Sequence, residues 1–364
     1  MRLLSLIVLL VMLAATPAAA RTWHVPAEAP TIQAGVDSAA VGDTVVVATG
    51  TYTWSDEGTG NGDGLVRLKS GLTLLGETGL ASDVVIDLEN ASSSRAFFAS
   101  GVDTSCTVMG FSVIHGNHSE GVGFYLSNAT PRIRNIDVFD STVSANGTGI
   151  RANGGTDTLL VDNCRFFNNN ASNLGGGIVT SSTPIKVTNS MFWKLTGGSF
   201  CGAVYHAGTT ADYINCTFAF NTAATSASHI MLDQAVVLTI DNCVLTDGNT
   251  PPIMEWDTNS TAVASCCDLF GNGGGDWVDV VSGQDGANGN ISMDPLYTSA
   301  ALDIYYVLPN SPCLINDDCG QIGARGCMVY PDFTSPVTGP AVMGSDWGVF
   351  LESTDICTGR MLLR

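Results

Sequence analysis

The sequence predicts an all-β protein, a right-handed three-sheet parallel β-helix (a solenoid) with a short N-terminal capping helix. Three observations predict it. The first is a period. Asn163-Cys164-Arg165-Phe166, Asn189-Ser190-Met191-Phe192, Asn215-Cys216-Thr217-Phe218 and Asn242-Cys243-Val244-Leu245 are one phrase repeated, and Cys266-Cys267-Asp268-Leu269 is a fifth copy without the Asn. Their starts lie 26, 26, 27 and 24 residues apart, the spacing of a stacked-repeat architecture.

The second is what each period holds: three short apolar runs rich in β-branched residues, none long enough for a helix. Ile150-Arg151-Ala152, Leu159-Leu160-Val161-Asp162 and Cys164-Arg165-Phe166 form one such set. Three strands with no partner inside their own repeat bury their apolar side only by pairing with equivalents about 4.8 Å above and below. A leucine-rich repeat of similar period requires Leu at fixed short spacings, and these are absent. The third is the Asn itself. Asn tolerates the left-handed backbone of a tight corner, and stacked Asn side chains bond along their column. Asn163, Asn189, Asn215 and Asn242 are therefore expected to form a structural ladder.

Taken in order, residues 1–20 read as a secretory signal, with Arg2 as the charged start, Leu3–Leu13 as the apolar run and Ala18-Ala19-Ala20 as a small-residue cleavage site. The mature chain is expected to be exported from a bacterium, to the periplasm, the cell surface or the medium, with no membrane-spanning segment once the signal is removed. Residues 21–300 read as the β-helix with its N-terminal cap, 301–330 as a Cys-containing C-terminal cap and 331–364 as an irregular tail. In the cap, Thr31 is placed to start a short helix with Ile32, Val36 and Ala39/Ala40 on one face. Such a helix shields the open first coil of a solenoid.

The block Trp23-His24-Val25-Pro26, Thr31-Ile32-Gln33-Ala34-Gly35-Val36, Gly42-Asp43-Thr44-Val45-Val46-Val47 and Gly50-Thr51-Tyr52 resembles the start of secreted bacterial pectin-lyase-like right-handed β-helix proteins. Asp294-Pro295-Leu296-Tyr297, Ser311-Pro312-Cys313 and Cys319-Gly320-Gln321-Ile322-Gly323-Ala324 extend the resemblance over roughly residues 22–330. It implies the fold. It also implies a cleft along the first sheet, as in carbohydrate-active members. Activity does not follow, because lyases, hydrolases, epimerases and adhesins share the architecture. The paired-Asp, Gly-His-Gly and Arg-Ile-Lys signatures of polygalacturonases are missing. So is the Asp-Pro-His of alginate epimerases, since Leu296 follows Asp294-Pro295.

Side chains alternate across a strand. On the first sheet Ile150, Ile178, Val204, Ile230 and Met254 are expected to point inward. One outward column is Tyr125, Arg151, Val179, Tyr205, Met231 and Glu255. The next is Ser127, Asn153, Ser181, Ala207, Asp233 and Asp257. Asp233 and Asp257 thus fall on adjacent coils about 5 Å apart, with Glu255 nearby. That spacing suits an acid and a nucleophile at a glycosidic bond, or a Ca²⁺ site. Tyr125, Arg151 and Tyr205 are the candidates for sugar binding, with Arg151 able to fork onto a carboxylate or to act as a base in a lyase. His206 falls on an inward column, where a hydrogen-bonded core histidine is expected. His115 and His118 share a turn with Asn117 and Glu120, read as a solvated loop.

Among the eleven cysteines, two groups stand out. Cys164, Cys216, Cys243 and Cys267 share one repeat position and are expected as buried thiols, because strand spacing is too wide for disulfides between coils. Cys313–Cys319 or Cys319–Cys327 is the expected bridge. No Cys/His set has zinc spacing.

A net charge of −20 with only 14 Lys and Arg argues against nucleic acid as a partner. Exposed polar residues are the rule on a solvated sheet. The sequence therefore favours a protein that binds or displays a surface for extracellular polysaccharide or a cell-surface partner. A polysaccharide lyase or glycoside hydrolase working on the first sheet is the alternative, and a purely structural surface protein is a third. Ca²⁺ is the one cofactor the acidic composition suggests.

Overall fold

The computed structural model describes residues 19–58, 63–257, 259–314 and 319–324. The segment read as a signal, apart from its last two residues, and the residues from 325 onward lie outside the described residues, as does Cys327. Among the described residues no helix is long and apolar enough to cross a membrane.

The chain winds as a parallel coil. The first sheet has eight strands, from Val66–Arg67 through Phe97–Ser100, Phe124–Ser127, Ile150–Asn153, Ile178–Ser181, Val204–Ala207 and Ile230–Asp233 to Ile253–Glu255. The second and third sheets flank the Asn corner. They are joined because Thr107–Ile114 and Arg132–Phe139 run unbroken around it, giving one 17-stranded sheet bent into two faces. A five-stranded ladder of very short strands, such as Asn170–Ala171 and Thr196–Gly197, lies in the turn that leads back to the first sheet. A right-handed winding is the hand parallel crossovers take.

Inside, like residues stack on like. Phe166, Phe192 and Phe218 are fully buried, with centroids 5.1 and 4.5 Å apart and nearly parallel rings. Cys164, Cys216, Cys243 and Cys267 are buried free thiols. Two polar networks interrupt the apolar core. His206 bonds Thr180 at 2.7 Å and the Tyr213 hydroxyl at 2.9 Å, and His229 bonds Asn221 and Asn272. All of these side chains are buried, so each polar atom must find its partner within the protein.

At the corner Asn163, Asn189, Asn215 and Asn242 have φ of 51° to 54°, the left-handed region. Asn163 donates to Asn135 at 2.9 Å and Asn215 to Asn189 at 3.3 Å, while Asn189 turns aside to Asp162. The buried amide oxygen of Asn242 has no hydrogen-bond partner among the described residues. The next corner toward the C-terminus, also left-handed at φ 51°, is Cys266, which has no side-chain amide to donate.

Thr31 caps the helix Ile32–Ser38 by accepting from the Ala34 amide at 3.1 Å, and Ile32 and Val36 close the first coil. The last coil is covered by residues 277–290. Val281 is buried against the core, and the side-chain amide of Gln284 accepts from the Ala264 N–H at 2.8 Å and donates to the Ala262 carbonyl at 2.9 Å. An antiparallel hairpin, Tyr297–Ser299 with Ile304–Val307, then folds back over the outside of the third sheet, placing Tyr305 against Trp193.

The bridge expected within the C-terminal cap is instead Cys266–Cys319, which ties the cap to the corner of the last coil. Cys313 is a buried free thiol donating to Asp268 at 3.2 Å. Proximity in sequence suggested the wrong partner because Cys313 is turned to Asp268 on the last coil, while Cys319 meets the corner residue Cys266.

Candidate functional site

The first sheet presents the outward column Phe98, Tyr125, Arg151, Val179, Tyr205, Met231 and Met254, each in register with the next. Ser127, Asn153, Ser181, Ala207 and Asp233 form the second outward column. The expected register holds to this point and then fails by one residue. Ile253, not Met254, continues the inward column, and Glu255 pairs with Leu232. The cause is Pro251-Pro252. Their carbonyls receive the Ser228 and Ile230 N–H groups, and the strand starts one residue early.

This shift dissolves the expected carboxylate pair. Glu255 follows the inward register, and its Oε2 accepts the Ser260 N–H at 3.2 Å. Asp257 lies beyond the strand and braces the turn, accepting from the Ala235 N–H at 3.2 Å and the Ser260 hydroxyl at 3.1 Å. Desolvation works against its charged form, but these hydrogen bonds outweigh it and hold the carboxyl below its usual range.

Arg151 is largely withdrawn from solvent and already engaged. Its Nη1 donates to Ser181 at 3.1 Å, and its Nε lies 3.8 Å from Glu120. Burial lowers its pKa, with Glu120 opposing. Tyr125 is also occupied, between the Phe98 ring at 6.1 Å and the Arg95 guanidinium 4.5 Å from its centroid. Arg95 is buried and donates to the carbonyls of Gly121, Asp63 and Glu120 and faces His118 Nδ1 at 2.8 Å. Burial draws the Arg95 pKa down to about 10, and burial together with Arg95 draws His118 down to about 4. These groups hold the upper half of the face together and leave little for a ligand.

The lower half is different. An open recess of about 260 Å³ is lined by Asn173, Leu174, Phe200, Tyr205, Met231, Asp233 and Trp256. Tyr205 donates to Asp233 Oδ2 at 2.5 Å. Burial first, then the hydrogen bond and charge of Asp233, push the phenol well above its ordinary pKa, so it stays protonated at neutral pH. Trp256 stands 60% exposed and meets Phe200 edge to face at 4.8 Å. Its backbone N–H donates to the Leu232 carbonyl at 2.8 Å, fixing the residue one position beyond the strand end, alongside Asp233.

Phe200 is carried by the turn after Thr196–Gly197. A Cβ on Gly197 would lie 1.5 Å from the Cys201 carbonyl oxygen, so only glycine lets this turn fold back onto the sheet. Asn173 donates to Asn146 at 3.1 Å, and Asn146 to Glu120 at 2.9 Å, a side-chain rail along the wall. Of the residues singled out from sequence, the structure brings Tyr205 and Asp233 together in the recess and sets Tyr125, Arg151, Glu255 and Asp257 apart from it. Trp256, Phe200 and Asn173 were missed. They sit in turns, where strand alternation gives no guidance, although an aromatic residue following Pro-Pro was a signal. Among the described residues no group of three or more His, Cys, Asp or Glu side chains is placed to hold a metal ion.

No family model matches the sequence, and no curated protein matches it. Among solved structures the chain is similar to the A-module of the Azotobacter vinelandii mannuronan C-5 epimerase AlgE4, at 16% identity and a TM-score of 0.33, covering 66% of this chain and 73% of that one. It is also similar to the A-module of AlgE6 from the same organism, at 15% identity and a TM-score of 0.33, covering 72% and 94%. By the register of its own strands the chain is a three-sheet parallel β-helix, with the right-handed winding that parallel crossovers take.

Proposed function

We propose that this is an exported protein that binds extracellular polysaccharide on the lower half of its first sheet. The observation that carries the reading is the recess in which Trp256, Phe200 and Tyr205 surround Asp233. Sugar rings offer apolar C–H faces and hydroxyl edges, so an exposed indole beside a hydrogen-bonding carboxyl and an amide matches both. The open mouth suits a segment of a long chain better than a small molecule enclosed on all sides.

Binding is favoured over catalysis because the ionisable groups diverge. Asp257 and Glu255 are bonded into turns, and Arg151 is held by Ser181 and Glu120. Tyr205 is stabilised as a neutral phenol, the wrong form for a base.

The test is a panel of oligosaccharides titrated against the full chain, with reducing ends and unsaturated products followed in parallel. Binding that falls at least about tenfold in Trp256→Ala, with no product formed, is the expected result. Product formation that disappears in Asp233→Asn would overturn the binding reading in favour of an enzyme.

A further inference from the structure

Resting on that reading, we infer that the recess selects a positively charged amine, presented by a glycan containing unacetylated amino sugars. Three aromatic rings and one acidic side chain share a single open space. The faces of such rings carry negative potential, and a cation set among them is attracted by the rings and by the acid together.

The recess holds a negative charge and no positive one of its own. None of its lining residues is Lys or Arg. Arg151, on the same outward column, is two coils from Tyr205 by register and is turned to Glu120 and Ser181. Asp233 has its Oδ2 bonded to the Tyr205 hydroxyl, and its Oδ1 has no partner among the described residues. An ammonium donating to that oxygen completes the set, with the neighbouring sugar ring lying on Trp256. Met231 adds a polarisable floor. The chain's net charge of −20 acts in the same direction at longer range, drawing cationic glycans in and repelling polyuronates.

Four tetrasaccharides separate the possibilities: β-1,4-linked glucosamine, its fully N-acetylated form, a neutral glucan and a polyuronate. Each is titrated calorimetrically against the full chain at mildly acid pH and about 0.15 M salt, where unspecific attraction is screened beyond about 8 Å. The glucosamine form should bind about tenfold or more tighter than the acetylated form. Asp233→Asn should abolish that preference with no change in melting temperature. Asp212→Asn, which removes the same charge from the second sheet, should keep it.

Equal binding of the acetylated form overturns the inference, as does a preference that survives in Asp233→Asn. So does binding of a lysine-containing peptide in place of every tetrasaccharide. If a neutral or acetylated tetrasaccharide binds and Trp256→Ala loses it, the amine specificity falls while the glycan-binding recess stands. If no tetrasaccharide binds, both fall.

Discussion

Cys266 occupies the corner position that Asn163, Asn189, Asn215 and Asn242 hold on earlier coils, and it is disulfide-bonded to Cys319, 53 residues further on. The column of amides ends where a covalent tie to the cap begins. Closing a loop of this length restricts the unfolded chain by roughly 2–4 kcal/mol. In a solenoid that stability is local, because each coil contacts only its neighbours. Cys319→Ser should therefore loosen the hairpin Tyr297–Val307 and leave the first coils unchanged. Hydrogen exchange that speeds up around residues 291–322 alone is the expected readout. Uniform loss of protection along the chain would contradict it.

Asp268 gives the same region a dependence on pH. It is fully buried, with the Met293 N–H and the Cys313 thiol donating to it. Burial, reinforced by the charges of Asp276 and Asp294, outweighs those donors and raises its pKa from 3.8 to about 7. The folded state thus holds a proton that the unfolded state releases between these values. Its favourable contribution is complete below pH 3.8 and is lost as pH rises to about 7. Asp268→Asn should remove this loss and stabilise the C-terminal end on the alkaline side, by an amount on the order of a few kcal/mol. Melting curves of the two proteins that stay parallel from pH 4 to 8 would refute it.

His206 and His229 act with the opposite sign. Burial lowers their pKa values from 6.5 to about 3 and about 4. Their contribution is fully present above pH 6.5 and is lost as pH falls toward those values. Nitrogen chemical shifts of both imidazoles should report neutral rings down to about pH 5, well below the ordinary histidine midpoint of about 6.5. A shift centred near that midpoint would show the networks with Tyr213 and Asn272 to be open to water.

The Asn corner separates backbone from side chain. Asn215→Ala loses the bond to Asn189 and forces a Cβ without a compensating hydrogen bond into left-handed geometry, at a cost of about 1–2 kcal/mol. Asn215→Gly loses the bond but keeps an easy backbone, so it should cost less than Ala. The order Ala worse than Gly, read from denaturant midpoints, is the expected result. Equal costs would place the value of Asn in its side chain alone, and the reverse order would overturn the backbone argument.

The coil itself was legible because its causes are local. A left-handed corner calls for Asn, a buried strand for β-branched residues, and both recur at a fixed spacing. Thr31 and the face Ile32/Val36 announced the cap for the same reason. What sequence could not supply depended on sums along the chain. One residue absorbed at Pro251-Pro252 moved Glu255 onto the inward register and left Trp256 beside Asp233. The partner of Cys319 was decided by where the cap returned, not by which cysteine lay nearest in sequence. Arg95 gave no pattern at all, since its partners are three carbonyls from two segments far apart in sequence, Asp63 and Glu120-Gly121.

The amide of Gln284 meets the final strand as a further copy of the coil would, one donor and one acceptor in place of a whole rung. A second molecule therefore meets these two groups already bonded, which works against extension of the coil by adding chain to chain at that strand. Gln284→Ala would free the Ala264 N–H and the Ala262 carbonyl together. Concentration-dependent self-association in sedimentation should appear in that variant while the parent remains monodisperse.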